Sequence, residues 1–303
     1  EVCLQGGIHP AYDGNTYLDI TKQLKSVLPD LHIHAFSPLE VYQGANTLGL
    51  SLDTFLGQLK DAGLGSLPGT AAEILDDEVR AILCPDKVNT SQWLEVIETA
   101  HSVGLKTTST IMFGHVETPI HWARHLIKLR DLQSRTGGIT EFVPLPFVHM
   151  EAPIFLKGGA RRGPSWRETV LIHAVSRLAL NPLIQNIQTS WVKLGPIGAS
   201  ICLESGANDL GGTLMNETIT RSAGASHGQE LAPQEMDALI KRLGREPSQR
   251  STLYGKVSKQ QEVKSYSAMP LDDVVNNPVR KYSKKVKPQF FSTSEQKVQQ
   301  LAE

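Results

Sequence analysis

The chain has 303 residues, a formal net charge of −1 and 40% hydrophobic residues. This size and composition predict one large globular core with room for a small appendage. A near-neutral charge argues against general attraction to nucleic acid or to an anionic membrane surface, and no apolar run approaches the roughly 20 residues of a membrane span. We therefore expect neither nucleic acid nor membrane among its partners.

Cysteines are few and widely separated, at Cys3, Cys84 and Cys202. Their spacing matches neither a disulfide framework nor a metal-binding motif. A reducing compartment is therefore expected, which is the cytoplasm, or an organelle if the source is eukaryotic.

The chain opens on a strand, residues 1–4, that runs into Gln5, Gly6 and Gly7. Glycine at a strand end leaves room for the close approach of a ligand, although a glycine pair is also an ordinary turn. Further strands are predicted from short apolar runs at residues 31–36, 64–67, 106–113, 139–143, 186–192 and 205–210. Helices are predicted where apolar residues recur every three or four positions, at 17–27, 52–59, 72–83, 93–100, 122–129, 170–178, 197–203 and 236–243.

Strands and helices alternate along residues 1–255, which is typical of a parallel sheet covered by helices. Seven strands in about 210 residues match the number of strands per residue in a TIM-type (β/α) barrel. A C-terminal helix is predicted to end this domain. An open doubly wound sheet is the alternative. Residues 256–303 are rich in Lys, Ser and Gln, and their poor periodicity predicts a flexible extension with a short helix near residues 295–302.

In barrels of this kind, reactive groups gather at the carboxyl ends of the strands. The residues predicted there are mostly polar and uncharged: Gln5, Gly6, Gly7, His34, Ser37, Thr70, Glu73, Ser109, Met112, His115, Glu117, Gln188, Asn208 and Asp209. Such a set suits a polar organic substrate that is held by many hydrogen bonds. The pattern assigns none of these residues a catalytic role.

Some of these positions also have a purely structural explanation. Glu73 is placed in the first turn of a helix, where the helix dipole favours a carboxylate. His32 and His34 alternate on one strand, so only one of them is expected to face the interior. His121 and His125 have the i, i+4 spacing of a helical metal pair, but they lack the Glu of the protease motif and border an apolar face, which favours a structural role.

A glycine-rich segment at residues 206–213 is close to a phosphate-binding loop. Gly212 stands where that loop requires a lysine, which argues against nucleotide triphosphate hydrolysis.

Five segments, in this order and spacing, resemble the radical S-adenosylmethionine enzymes that build deazaflavin and futalosine. They are CLQGGIHP (3–10), HAFSPLEV (34–41), LPGTAAEIL (67–75), TIMFGHVE (110–117) and ESGANDLGGTLMNETI (204–219). The resemblance covers residues 1–255. The LGGTLMNE segment at 210–217 is most similar to the branch that forms subunit 2 of the deazariboflavin (FO) synthases, alone or as the C-terminal half of a fused FO synthase.

The resemblance implies a (β/α) barrel in which a 4Fe-4S cluster and S-adenosyl-L-methionine generate a 5′-deoxyadenosyl radical. It also implies a transferase of FO and coenzyme F420 biosynthesis, which joins the hydroxybenzyl group of tyrosine to 5-amino-6-(D-ribitylamino)uracil. FO synthase subunit 1, separate or fused, is an implied partner. A futalosine-pathway (menaquinone) enzyme and a cluster-less, non-catalytic relative are the alternatives.

Roles for individual residues follow from the same resemblance. Gly6 and Gly7 match the glycine pair that meets the amino acid end of S-adenosylmethionine, while Ser37, Glu73 and Ser109 lie where its ribose and carboxylate are held. The remaining residues are assigned to the two substrates: Gln5, His34, Thr70, Met112, His115, Glu117, Gln188, Asn208 and Asp209.

The family binds its cluster through three cysteines spaced CxxxCxxC, upstream of the glycine pair. This chain contains no such spacing, so no metal ligand is predicted in it. We expect a fragment that begins at the family's second strand, without the first strand and the cluster loop, and that is inactive alone. A natural relative without a cluster is the alternative.

Overall fold

The computed structural model describes residues 1–215 and 217–269. Within these ranges the chain forms five strands and twelve helices. The short helix predicted near residues 295–302 lies outside them. No helix in the described part of the chain is both long enough and apolar enough to cross a membrane.

The five strands form one parallel sheet in which spatial order follows chain order. They are β1 (Val2–Leu4), β2 (Ile33–Ala35), β3 (Ser66–Leu67), β4 (Lys106–Phe113) and β5 (Ile139–Pro146). Parallel pairing continues beyond β5 through two isolated bridges, Phe142 to Ile187 and Gln188 to Asp209. Seven successive parallel positions therefore follow the chain, in the order expected of a (β/α) barrel. The predicted α/β fold is confirmed.

Helices connect the strands and cover the sheet. They are α1 (Gly14–Val27), α2 (Pro38–Leu48), α3 (Leu52–Asp61), α4 (Asp77–Leu83), α5 (Thr90–Ser102), α6 (Pro119–Thr136), α7 (Pro153–Leu156), α8 (Trp166–Leu180), α9 (Trp191–Glu204), α10 (Ile219–Ser222), α11 (Pro233–Arg242) and α12 (Lys259–Tyr266).

Local sequence signals set the starts of several helices. The Asp13 carboxylate accepts two backbone N–H groups at the start of α1. Ser37, Asn89 and Ser165 each form a capping box with a Glu or Gln three residues later, at α2, α5 and α8. The caps at Asp13 and Ser37 follow β1 and β2, so they fix where the chain turns from the sheet into the covering layer.

Three apolar clusters hold the helices in place. One surrounds Trp93 and Phe142, and a second surrounds Phe55 and Leu67. The third packs α9 against α11 around Trp191. Burial of each such side chain contributes about 1.5–3 kcal/mol, so the sheet and its helices form a rigid frame beneath the strand ends.

Three of the differences between the structure and the predicted elements have a local explanation. Helix α2 is not predicted, because Gly44 interrupts its apolar pattern; a Cβ at Gly44 would lie 2.7 Å from the Phe55 ring, so glycine lets α2 pack closely on α3. The helix predicted at 72–83 starts only at Asp77, where the Asp76 side chain caps it. The strand predicted at 186–192 is shorter, because α9 already begins at Trp191.

The predicted extension from residue 256 begins with a helix, α12. The Tyr266 hydroxyl donates to Asp237 Oδ1 at 2.9 Å, and the Gln234 amide donates to the Tyr266 carbonyl at 2.9 Å. Residues 259–266 are therefore a helix attached to α11, and the flexible extension expected for residues 256–303 stays a prediction. The division of the chain at residue 255 stays a prediction.

Candidate functional site

The carboxyl end of β1 is tied to the start of α2 by Glu40. The Gly6 N–H donates to Glu40 Oε1 at 3.1 Å, and the Ser37 N–H and hydroxyl donate to Glu40 Oε2 at 2.8 and 2.7 Å. Burial raises the pKa of the Glu40 carboxyl, against the effect of these hydrogen bonds. A Cβ at Gly7 would meet nothing within 4 Å. The glycine pair therefore opens onto free space, with Gly6 anchored.

Gln5 and Thr70 connect the ends of β1 and β3, which are separated by β2 in the sheet. The Thr70 hydroxyl donates to Gln5 Oε1 at 2.9 Å. Next to Thr70, the Gly69 N–H donates to Thr108 Oγ1 at 2.8 Å, and the Gly69 carbonyl accepts the Thr110 hydroxyl at 2.8 Å. Side chains and loops thus link the ends of β1 and β3 to each other and to the middle of β4, and we call this face of the sheet the mouth.

Glu73 lies in the loop after β3, and not in the first turn of a helix as predicted. Its φ of 41° falls in the left-handed region, which few residues other than glycine adopt. The Glu73 carbonyl accepts the Met112 N–H at 2.8 Å, and Lys87 Nζ lies 2.8 Å from Glu73 Oε1. Glu73 Oε2 is buried, accepts no hydrogen bond from the described residues and lies 3.6 Å from Arg80 Nη1, so the carboxylate sits between two cations.

His115 and Glu117 follow the end of β4 and are both buried. The Gly114 and His115 N–H groups donate to the Glu117 carboxylate at 2.6 and 2.8 Å, and Arg161 Nη2 lies 3.1 Å from it. Burial alone would raise the pKa of Glu117, but its contact with the His115 side chain and hydrogen bonds from the Gly114 and His115 N–H groups hold that pKa well below its usual range. His115 Nε2 donates to the Met112 carbonyl at 2.8 Å, since a carbonyl only accepts. The hydrogen bonds of His115 and Glu117 thus fix the segment that follows β4 below the mouth.

Ser109 and His34 lie deeper than predicted. Ser109 is fully buried in the middle of β4, not at its end, and its hydroxyl donates to the Glu141 carbonyl at 2.9 Å. His34 Nδ1 and His32 Nε2 lie 2.7 and 2.8 Å from the same Ser66 hydroxyl, and burial lowers the pKa of His34 to about 4. The placement of Ser109 and His34 at strand ends is therefore wrong, and both histidines have a hydrogen-bond partner in the sheet.

A network of charged side chains lies on the inner face of the sheet, and the sequence analysis did not predict it. Arg250 Nη2 is 3.3 Å from Glu141 Oε2 and 2.9 Å from Asp209 Oδ1, and the Tyr254 hydroxyl donates to Glu141. The Arg250 guanidinium lies 4.1 Å from the centroid of the Tyr254 ring. Burial raises the pKa of Glu141 to about 7, with Asp209 adding to the shift and Arg250 opposing it. The segment that contains Arg250 and Tyr254 thus covers the interior of the sheet below the mouth.

The last predicted site residues fall into two groups. Gln188 and Asp209 pair as neighbouring parallel positions, and the Gly211 N–H donates to Asp209 Oδ1 at 2.6 Å. Asn208 instead accepts a hydrogen bond from Arg177 of α8 at 2.7 Å. Asn208 therefore links the outer helix layer to the sheet, while Gln188 and Asp209 stay with the interior group.

The predicted histidine pair on α6 serves the structure. His125 is fully buried, accepts the Leu75 N–H at 2.9 Å and has a pKa that burial lowers to about 3. Asp76, Glu78 and His121 come close enough to share a cation, but Arg124 already lies 3.2 Å from Asp76. A guanidinium therefore occupies the place of a metal ion.

The three cysteines do not fit an iron–sulfur cluster. Cys3 is exposed on β1, Cys84 is buried at the end of α4, and Cys202 is buried within α9. Burial raises the pKa of both Cys84 and Cys202 to about 11, which disfavours the thiolate that binds iron. The cysteines of the described residues thus provide no cluster site.

Comparison with known proteins identifies the family. The family model described as "CofH/MqnC C-terminal region" matches residues 136–263. The 5-amino-6-(D-ribitylamino)uracil–L-tyrosine 4-hydroxyphenyl transferase of Methanothermobacter thermautotrophicus is 52% identical over 257 residues, which are 85% of this chain and 70% of that protein. The chain belongs to this transferase family. The Methanopyrus kandleri member is 52% identical over 254 residues, covering 84% of this chain and 69% of that protein.

Longer relatives contain the same region. The FO synthase of Streptomyces coelicolor is 53% identical over 262 residues, which are 86% of this chain and 30% of that protein. The chain thus spans less than a third of the FO synthases that it matches and about 70% of the separate transferases.

A solved structure supports the fold of the transferase family. Methylornithine synthase has a TM-score of 0.51 and 13% identity, covering 84% of this chain and 66% of the other. At this identity the similarity extends to the fold alone, and it agrees with the parallel arrangement of strands and helices.

Proposed function

We propose that this chain forms the substrate-binding part of a transferase that joins the hydroxybenzyl group of tyrosine to 5-amino-6-(D-ribitylamino)uracil, in FO biosynthesis. The observation that carries this proposal is the 52% identity over 257 residues to a transferase named for these two substrates. The mouth fits such ligands, because it combines backbone groups, hydroxyls and amides with few free charges.

S-adenosylmethionine is the proposed cofactor. Gly6 and Gly7 provide open backbone at the end of β1, and Glu73 Oε2 is a buried acceptor that receives no hydrogen bond from the described residues. A carboxylate acceptor of this kind suits ribose hydroxyls. Ser37 donates to Glu40 and Ser109 to Glu141, so we propose that both support the cofactor site through these contacts.

Substrate contacts are proposed for the residues that the structure brings to the mouth. Gln5 and Thr70 present an amide and a hydroxyl across β2, and Met112 follows on β4. His115 and Glu117 act by positioning, since both are buried and bonded to the backbone around them. FO synthase subunit 1 is the proposed partner, because related FO synthases carry this region within a longer chain.

A hybrid enzyme tests this function. The matching 257 residues of the Methanothermobacter thermautotrophicus transferase are replaced by this chain, so that the relative supplies the remainder of its own length. With S-adenosylmethionine, a reductant and both substrates, the hybrid should form the tyrosine–aminouracil adduct, detected by mass spectrometry. A folded hybrid that makes no adduct, while the parent does, would contradict the proposal. Conversion of a futalosine precursor instead would support that pathway.

A further inference from the structure

Lys193 lies at the mouth but has no role in the function proposed above. Gln188 lies at the sixth parallel position of the sheet, where it pairs with Asp209. Helix α9 begins at Trp191, and Lys193 lies in its first turn. Its side chain is half-buried. Because α9 begins just beyond the carboxyl end of the sixth parallel position, Lys193 lies on the face of the sheet where loops meet.

Helix α10, in the C-terminal part of the chain, contacts the Lys193 side chain. Thr220 Oγ1 of α10 is 3.4 Å from Lys193 Nζ. Just after α10, the Ala223 carbonyl accepts the Glu151 N–H at 3.1 Å, which attaches α10 to the segment after β5. The half-buried Lys193 side chain therefore lies between the start of α9 and α10.

Lys193 lacks a counterion among residues 1–215 and 217–269. Its one hydrogen bond there, at 3.4 Å to Thr220, is long, and no carboxylate oxygen lies within 4.0 Å of its ammonium. Glu217 is the nearest candidate, but its carboxylate accepts the Thr220 N–H at 2.9 Å and hydroxyl at 3.1 Å. The half-buried Lys193 ammonium has three donors and one long hydrogen bond within the described residues, so this site favours an anionic ligand.

The acidic groups of the mouth already have cations of their own. Glu117 lies 3.1 Å from Arg161, and Glu73 lies 2.8 Å from Lys87. Burial lowers the pKa of Lys193, and Glu217 opposes this shift. A bound carboxylate would compensate the buried charge of Lys193 without competing with these pairs.

We propose that Lys193 binds the α-carboxylate of the tyrosine substrate and thereby positions it in the mouth. This inference rests on the proposed function, in which tyrosine carries a carboxylate and the aminouracil does not. S-adenosylmethionine also has an α-carboxylate, but the function proposed above assigns its amino acid end to Gly6 and Gly7, which follow β1.

Calorimetric titration of the purified chain tests the inference. The ligands are L-tyrosine, tyramine, which lacks only the carboxylate, and S-adenosylmethionine. The wild-type chain should bind tyrosine about 10- to 100-fold more tightly than tyramine, as expected of hydrogen bonds to a charged group. Lys193→Met should bind both with the affinity of the wild type for tyramine. Lys22→Met, on the exposed surface of α1, should behave as wild type.

Three results would overturn the inference: a tyrosine preference that persists in Lys193→Met, a wild-type chain that does not bind tyrosine, or a loss in this variant that affects S-adenosylmethionine instead. Urea unfolding of Lys193→Met confirms that the variant is folded. The hybrid assay separates this inference from the proposed function. If the hybrid forms the adduct and Lys193→Met keeps its tyrosine preference, only the role of Lys193 is wrong.

Discussion

Arg250 and Glu141, 109 residues apart in the chain, meet inside the sheet with Nη2 3.3 Å from Oε2. Arg250 also binds Asp209, so one guanidinium serves two carboxylates. The contact brings the C-terminal segment against β5 and the seventh parallel position. The interior beneath the mouth is therefore closed by charge pairing, where most barrels of this type use packed apolar side chains.

Glu141→Gln should remove a pH dependence of stability. Burial raises the pKa of Glu141 to about 7 in the folded chain, above its ordinary value of 4.5, so folding takes up a proton. The stabilisation is fully present below about pH 4.5 and is lost as the pH rises through 7, by about 3 kcal/mol. Urea unfolding of both proteins between these pH values measures the difference.

The matched control for this prediction is Glu95→Gln on the exposed surface of α5. Its unfolding free energy should follow that of the wild type at every pH. A difference between wild type and Glu141→Gln that does not change with pH would show that Glu141 keeps one charge state throughout.

Glu117→Gln should destabilise the fold by about 3 kcal/mol. The carboxylate accepts two backbone N–H groups and lies against Arg161, and an amide in its place would set one NH2 group against these donors. Glu168→Gln also faces Arg161, but this side chain is more exposed and its amide oxygen still accepts the Ser165 N–H of the capping box, so the loss should be less than about 1 kcal/mol. Equal losses in the two variants would contradict the buried role of Glu117.

Two glycines of the mouth should differ in their tolerance of alanine. A Cβ at Gly69 would lie 2.4 Å from the Thr108 carbonyl, so Gly69→Ala should lower the unfolding free energy by about 1–3 kcal/mol. Gly7→Ala should change it by less than about 0.5 kcal/mol, because the site is open. In the hybrid enzyme, Gly7→Ala should weaken S-adenosylmethionine binding, measured by equilibrium dialysis. Unchanged binding would remove Gly7 from the cofactor site.

The chain should not assemble an iron–sulfur cluster. Its three cysteines lie on β1, at the end of α4 and within α9, and two of them are buried with raised pKa values. After anaerobic incubation with iron and sulfide, we expect no broad visible absorption and no cleavage of S-adenosylmethionine. The Methanothermobacter thermautotrophicus transferase, treated identically, is the positive control. Cleavage above a protein-free blank would contradict this prediction.

The sequence predicts the parallel fold well because helix and strand periods alternate and caps mark the boundaries. The contact of Glu40 with Ser37 could also have been predicted, since a Ser followed three residues later by a Glu is a capping signature. The error at Ser109 has a geometric reason: β4 extends to Phe113, and a polar residue in mid-strand looks the same in sequence as one at its end.

The charged interior could not be predicted from the sequence. Arg250 lies in a segment without periodicity, and its partners Glu141 and Asp209 come from distant parts of the chain. Lys193 was missed for a related reason. It stands out only in the folded chain, where the Glu217 carboxylate accepts hydrogen bonds from Thr220 and does not pair with the Lys193 ammonium. Such relations arise from tertiary packing, which local patterns do not encode.

The central claim is that the carboxyl ends of the strands form one mouth for both substrates. Hydrogen exchange of the chain, with and without tyrosine and 5-amino-6-(D-ribitylamino)uracil, tests it most directly. We predict slower exchange of backbone amides at residues 5–7, 70–75, 112–117 and 209–213 when both ligands are present, with no change at the amino ends of the strands. Protection confined to the amino ends, or none at these four segments, would contradict the account.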